Sequence, residues 1–273
     1  MKIFISADIE GIAGVVSPEQ CSPGHREHEL ARALMEQEVN AAIAGAFDGG
    51  ASEVVVADSH ASMTNLRAAQ IDARARLVQS KPRPLSMVDG LERHHYDGAF
   101  FIGFHSGAGQ AGVLAHTING RAFYQLKING EAMAEADIYA AAAAEHNTPL
   151  WLVSGDDQLQ TWVQQYYPTA HYACVKRMIS STAADSLSPQ TAQALIREQA
   201  RLAVIEANSS QTSRLSAPYC LELATSRPVF ADLFSLVPGV KMLDARTVSF
   251  TSDSMGELVS LLSVFSYMAS SQN

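Results

Sequence analysis

The sequence predicts an α/β fold: a three-layer arrangement in which a parallel, or mostly parallel, sheet carries helices on both faces, with a smaller C-terminal α+β lobe. Three observations carry this reading. Residues 3–7, 54–57 and 99–104 are short, nearly continuous apolar runs rich in β-branched and aromatic side chains. Such runs suit strands buried on both faces, as in a parallel sheet covered by helices. Between the first two lies a helical stretch, 27–47, that stops at Gly49-Gly50, and glycine beyond the last turn is a favoured helix stop. Residues 3–57 therefore read as a βαβ unit with a right-handed crossover. The third observation is that each apolar run feeds directly into polar residues: Asp8-Ile9-Glu10-Gly11, Asp58-Ser59-His60 and His105-Ser106-Gly107.

Further strands are expected at 121–128, 151–154 and 172–176, with a turn at Asn129-Gly130. An alanine-rich helix is expected from about Glu131 to His146, and another opens at Ser188-Pro189 and runs to about Ala207. Residues 208–216 have linker composition. Beyond them 219–224, 240–243 and 247–251 read as strands, and 231–236 and 254–268 as helices. Residues 1–210 are thus expected to form the α/β catalytic domain and 211–273 the smaller lobe, with its integration into the first domain left open.

The bulk properties narrow the function. The net charge is −9, which argues against nucleic acid as partner, because phosphate binding needs a basic face. Cys21, Cys174 and Cys220 are far apart and lack CxxC spacing, which fits reduced thiols in a cytoplasmic protein. The run at 3–7 is too short for a secretory signal, and 258–268 is too short to span a bilayer. No membrane association is expected. No GxxxxGK[ST], GxGxxG or GxSxG motif is present, so nucleotide and serine-hydrolase readings lack support.

In a parallel sheet all C-terminal strand ends lie on one edge, where open α/β folds place their ligand sites. Three strands would deliver Asp8, Glu10, His60 and His105 to that edge. Asp8 and Glu10, two residues apart, fall on one side of an extended chain. Two carboxylates so close repel unless something positive lies between them. Carboxylate oxygen with imidazole nitrogen suits zinc. His116, beyond a glycine-rich loop, is a candidate general base or nucleophile. Glu131 and Glu135 would share a helix face, and spacing does not choose between them as a ligand. His25 and His28, at an exposed helix start, read as solvated. His94 and His95 read as surface residues. Asp156 and Asp157 are expected either to line the pocket or to cap the next helix.

Together these motifs resemble the M55 peptidase family of D-aminopeptidases. The resemblance is carried by Ser6 to Gly11, Asp58-Ser59-His60 with Met63-Thr64-Asn65-Leu66, Gly103 to Ser106, His116-Thr117, Asn129-Gly130 with Glu135, and Ser154 to Asp157. It implies a zinc-dependent aminopeptidase acting on short peptides with an N-terminal D-residue. It implies Asp8, Glu10, His60, His105 and Glu135 as ligands of one or two zinc ions, so selecting Glu135 over Glu131, and His116 as the catalytic base or nucleophile. It further implies a homo-oligomer, a decamer of stacked rings. One position departs from the family pattern: Ala61 follows His60 where glycine is frequent. The alternatives are a metal-dependent amidase or deacylase on a small non-peptide substrate, and a peptide-binding protein without turnover.

Overall fold

A computed structural model describes residues 1–207 and 213–272. The elements run β1 (Lys2–Ala7), α1 (Pro18–Cys21), α2 (Arg26–Asp48), β2 (Glu53–Asp58), β3 (Ala75–Val78), β4 (Gly98–Ile102), β5 (Phe123–Ile128), β6 (Glu131–Ala132), α3 (Glu135–Glu145), β7 (Leu150–Asp156), α4 (Asp157–Tyr166), β8 (His171–Ser180), β9 (Ala183–Ser186), α5 (Pro189–Ile205), β10 (Tyr219–Thr225), α6 (Pro228–Phe234), β11 (Lys241–Met242), β12 (Thr247–Ser252) and α7 (Met255–Ser270).

The expected parallel sheet is present. Its strand order is β3-β2-β1-β4-β7-β8-β9, and only the β8–β9 hairpin is antiparallel. Alternation along β1 separates two cores. Ile3 and Ile5 pack with α2 and α5 residues such as Val39, Ile43, Ile196 and Ala200. Phe4 faces the other way, into a core with Phe101, Val153, Ile138, Leu258 and Leu262. Helices α3 and α7 belong to that second core, so both faces of the sheet are covered.

Beyond α3 and α7 lies a second sheet, entirely antiparallel, ordered β11-β12-β10-β5-β6. The C-terminal strands are therefore not a sheet of their own. Leu223 of β10 pairs with Leu126 of β5, so the second sheet draws strands from both sides of the 210/211 division. The helix expected from Glu131 begins four residues later. Asn129, at φ 54°, and Gly130, at φ 84°, make the turn of a β5–β6 hairpin instead. Of the linker candidate, 208–212 lies outside the described residues. Its remaining part is tied down, since Arg214 donates to Asp137 through Nε at 2.6 Å and also pairs with Glu131.

The order β2-β1-β4 sets the site. The chain leaves β1 toward β2 on one side and returns through β4 on the other, so the crevice at the C-terminal ends of β1 and β4 is the switch point of the sheet. The ends are level, with Ala7 opposite both Asp58 and Ile102.

Candidate metal centre

Asp8 and Glu10 follow β1 immediately, but not in extended chain. The backbone turns there: the amide of Asp8 donates to Ile102 O at 2.8 Å and that of Gly11 to Gly103 O at 2.8 Å. The turn brings both carboxylates over the ends of β1 and β4. It also requires two glycines. A Cβ on Gly11 would lie 2.0 Å from Phe104 O, and one on Gly103 would lie 2.3 Å from Asp8 O. Two backbones can approach this closely only without side chains.

The loop after β2 carries His60 and is organised by Asp58. That carboxylate accepts from the amides of Asn65 at 2.5 Å and Leu66 at 2.7 Å, and from Asn65 Nδ2 at 2.8 Å. Asn65 Nδ2 in turn donates to His60 O at 2.7 Å. The Asp58 to Leu66 motif is thus one hydrogen-bonded loop with His60 at its tip. His28 is not solvated as expected. It is buried, its Nε2 donates to Asn65 Oδ1 at 3.1 Å, and its ring centre lies 6.5 Å from that of His60. His25, His94 and His95 are exposed.

All six predicted site residues meet at the switch point. His60 Nδ1 is 3.1 Å from Asp8 Oδ1 and 3.1 Å from Glu10 Oε2. His105 Nε2 is 3.4 Å from Asp8 Oδ2 and 3.5 Å from Glu135 Oε1. His116 Nε2 is 3.9 Å from the same Glu135 oxygen, and its ring stacks on His105 with centroids 4.2 Å apart. Glu135 opens α3, where its Oε1 also accepts from the amide of Ile118 at 2.6 Å. Glu131 lies on β6, is exposed and pairs with Arg214. Asp156 does not join the cluster. It caps α4 through the amides of Gln158 and Leu159, and its other oxygen accepts from Val113 at 2.7 Å, fixing the loop that leads to His116.

Each histidine has one ring nitrogen committed to a carbonyl. His60 Nε2 donates to Cys21 O at 2.6 Å, His105 Nδ1 to Ser106 O at 2.9 Å and His116 Nδ1 to Leu114 O at 2.9 Å. A carbonyl only accepts, so each of those nitrogens carries a proton, and the opposite nitrogen of each ring faces the carboxylates, as an N–H when the ring is protonated and as a lone pair when a metal ion takes that proton's place. Backbone carbonyls orient metal-ligating histidines in this way. Lone pairs facing carboxylate oxygens in a buried site need a positive charge between them.

The polar accounting agrees. Glu10 Oε2 and His105 Nε2 are buried without a hydrogen-bond partner among the described residues. With protons as the only cations, the cluster holds them tightly. Burial lowers the proton affinity of His105, but the charges of Glu135 and Asp8 overcome it and push the group up to about 10. His60 is held well above its ordinary value against burial by Glu10 and Asp8. Burial raises Asp8, yet the His105 and His60 rings beside it hold it well below the usual carboxylate range. Burial raises Glu135. The donor set of three carboxylates and imidazole nitrogens fits a divalent zinc ion. Asp8, with one oxygen toward His60 and the other toward His105, can serve two adjacent positions.

Two supports carry no motif in the sequence. Lys176 of β8 is buried and donates from Nζ to the carbonyls of Glu10 at 2.5 Å, Ile12 at 3.1 Å and Val15 at 2.6 Å. Glu38 of α2 accepts from the amide of Ala13 at 2.9 Å. Both hold the turn that carries Glu10. A lysine inside a strand and a glutamate on the apolar side of a helix were the available signals.

Residues 1–264 match the Peptidase_M55 family model, described as D-aminopeptidase. The chain belongs to the M55 peptidase family. Among its M55 relatives, the D-aminopeptidase of Bacillus subtilis (strain 168) is 32% identical over 281 residues, covering 98% of each chain. The solved structure described as the zinc-dependent D-aminopeptidase DppA from Bacillus subtilis, a self-compartmentalizing protease, superposes with a TM-score of 0.94 at 30% identity, covering 99% of this chain and 98% of that one.

Proposed function

We propose that this M55 protein is a zinc-dependent aminopeptidase that hydrolyses short peptides with an N-terminal D-residue. The observation that carries the reading is the convergence of five buried ligand-type side chains on the sheet switch point, with Glu10 Oε2 and His105 Nε2 left unpartnered. The two metal positions would be held by Asp8, Glu10 and His60, and by Asp8, His105 and Glu135. When bound, zinc supplies Lewis acidity toward the scissile carbonyl and toward water.

The chain's own residues supply orientation and proton handling. His116 is the accessible member of the set, with a side chain 27% exposed where Glu135 is 4%. Its Nδ1 bond to Leu114 O leaves Nε2 as the basic atom, directed at the cluster. Stacking on His105 fixes the ring plane. His116 takes the proton from the attacking group and returns one to the departing amine. The subunits are read as a ring-stacked decamer, supported by the self-compartmentalizing relative and by exposed apolar side chains at Val229, Leu236, Met242 and Leu243. The three unpaired cysteines suit the reducing cytoplasm.

Elemental analysis of purified protein beside hydrolysis of D-Ala-D-Ala and L-Ala-L-Ala tests this. Zinc in the protein and turnover of the D-peptide are expected, with His60→Ala and Glu10→Ala losing both. Full zinc and full activity in those two variants would overturn it.

A further inference from the structure

A cleft opens beside the metal centre and shares Glu135 with it; its wall includes Lys81, Arg83, Ser86, Tyr139 and Tyr267. Two cations on one wall of a strongly acidic chain need an explanation. Arg83 is only 7% exposed. It spends its terminal nitrogens on the carbonyls of Val78 at 3.1 Å and Asp58 at 2.5 Å and on Met63 Sδ, and its Nε is buried with no hydrogen-bond partner among the described residues. The acids nearest in effect, Asp58 and Asp89, are already engaged: Asp58 by Asn65 and Leu66, Asp89 by Leu85 and Arg93. Lys81 has no hydrogen-bond or ion-pair partner among the described residues, and its Nζ lies 5.3 Å from the Tyr267 ring centre. Burial, with the Arg83 charge beside it, pushes the Lys81 ammonium below its ordinary value. A buried charge is ordinarily paired, yet among the described residues neither the buried Arg83 nor the more exposed Lys81 has a hydrogen-bonded carboxylate.

We propose that Lys81 and Arg83 form a clamp for the C-terminal carboxylate of the peptide substrate. This rests on the aminopeptidase reading only in placing the amino end at the zinc positions. With one end of the peptide at the metals and the other at the clamp, the cleft measures the whole molecule, and short peptides are selected because their carboxylate falls within reach of both cations. Cation–carboxylate bonds of this kind are the strong, charge-assisted class.

The test uses the zinc-loaded full chain, with D-Ala-D-Ala compared with its C-terminal amide in two assays. One is turnover. The other is calorimetric binding of the reduced-bond analogue, whose CH₂–NH link cannot be hydrolysed, as free acid and as amide. The free acid is expected to win by roughly tenfold or more in kcat/KM, chiefly through KM, and in affinity. Lys81→Ala, at an exposed position, should shrink both ratios several-fold, and Arg83→Lys should give an intermediate ratio. If Arg83→Lys does not fold, Lys81→Ala decides alone. Equal binding of acid and amide by the wild type, or an unchanged ratio in Lys81→Ala, overturns the clamp. If the wild type turns over neither peptide yet binds the acid analogue in preference, and Lys81→Ala loses that preference, the clamp stands and the aminopeptidase reading fails.

Discussion

At the scale of single residues, two positions separate geometric need from family habit. Gly11 has no room for a Cβ, since one would sit 2.0 Å from Phe104 O. Gly11→Ala must push β1 and β4 apart at their ends. It is expected to destabilise the fold by about 1–3 kcal/mol and to lose zinc and activity together. Chemical denaturation and metal analysis read this directly, and retention of zinc would refute it. Ala61 is the reverse case. It adopts φ 46°, where glycine is unstrained, yet the loop around it is held by Asp58 and Asn65 and not by its own backbone preference. Ala61→Gly should leave zinc content unchanged and shift stability by less than about 1 kcal/mol, since relieved strain and added unfolded-state freedom oppose each other. A drop in zinc content would show that the departure from glycine matters to the ligand.

Between elements, the turn after β1 hangs on side chains from α2 and β8. Glu38 is buried, and burial pushes its carboxyl up to about 7 from 4.5. Between those values the folded chain keeps a proton that the unfolded chain has lost. Stability from this group is therefore full below about pH 4.5 and falls as pH rises through about 7, by up to about 3 kcal/mol. Glu38→Gln removes the dependence. In urea unfolding of chelator-treated protein, the wild type should lose ground to the variant between pH 5 and pH 8. A gap that stays constant across that range would count against the assignment. Lys176 acts on the same turn from the other side. Lys176→Met strips three buried carbonyls of their donor and should cost about 2–4 kcal/mol, with zinc affinity falling alongside, as denaturation and metal titration would report.

Across the whole molecule, the proposed metal centre would tie together β1, the β2 loop, the β4 loop and α3. Three buried carboxylates stripped of their counter-ion destabilise every element they join. Chelation is expected to lower the melting temperature by roughly 10 °C, and zinc should restore it. An unchanged melting curve would mean that the cluster is not a metal site in solution. Light scattering should find a mass about ten times the 29.3 kDa chain if the exposed apolar side chains of Val229, Leu236, Met242 and Leu243 are covered by neighbouring subunits, and a monomer would remove that reading.

The sequence by itself determined the parallel sheet and the chemistry at its edge. Uninterrupted apolar runs, with polar residues at their ends, report local burial and chain direction, so Asp8, Glu10, His60 and His105 could be placed at one edge before any contact was known. Three strands were missed: β3 and β9 have only four residues each and carry charge, and β6 has two, at what reads as a helix start, so none has a run to recognise. Only the tertiary structure decided what depends on distant pairing. The antiparallel sheet joins β5 to β10, far apart in the chain, through backbone hydrogen bonds that carry no local signature. Glu131 lies on a β-hairpin, paired with Arg214, where helix propensity pointed to a helix, while Glu135 opens α3 beside His105. The burial of His28, Glu38, Arg83 and Lys176 is set by the elements packed over them, and a polar side chain does not announce its own burial.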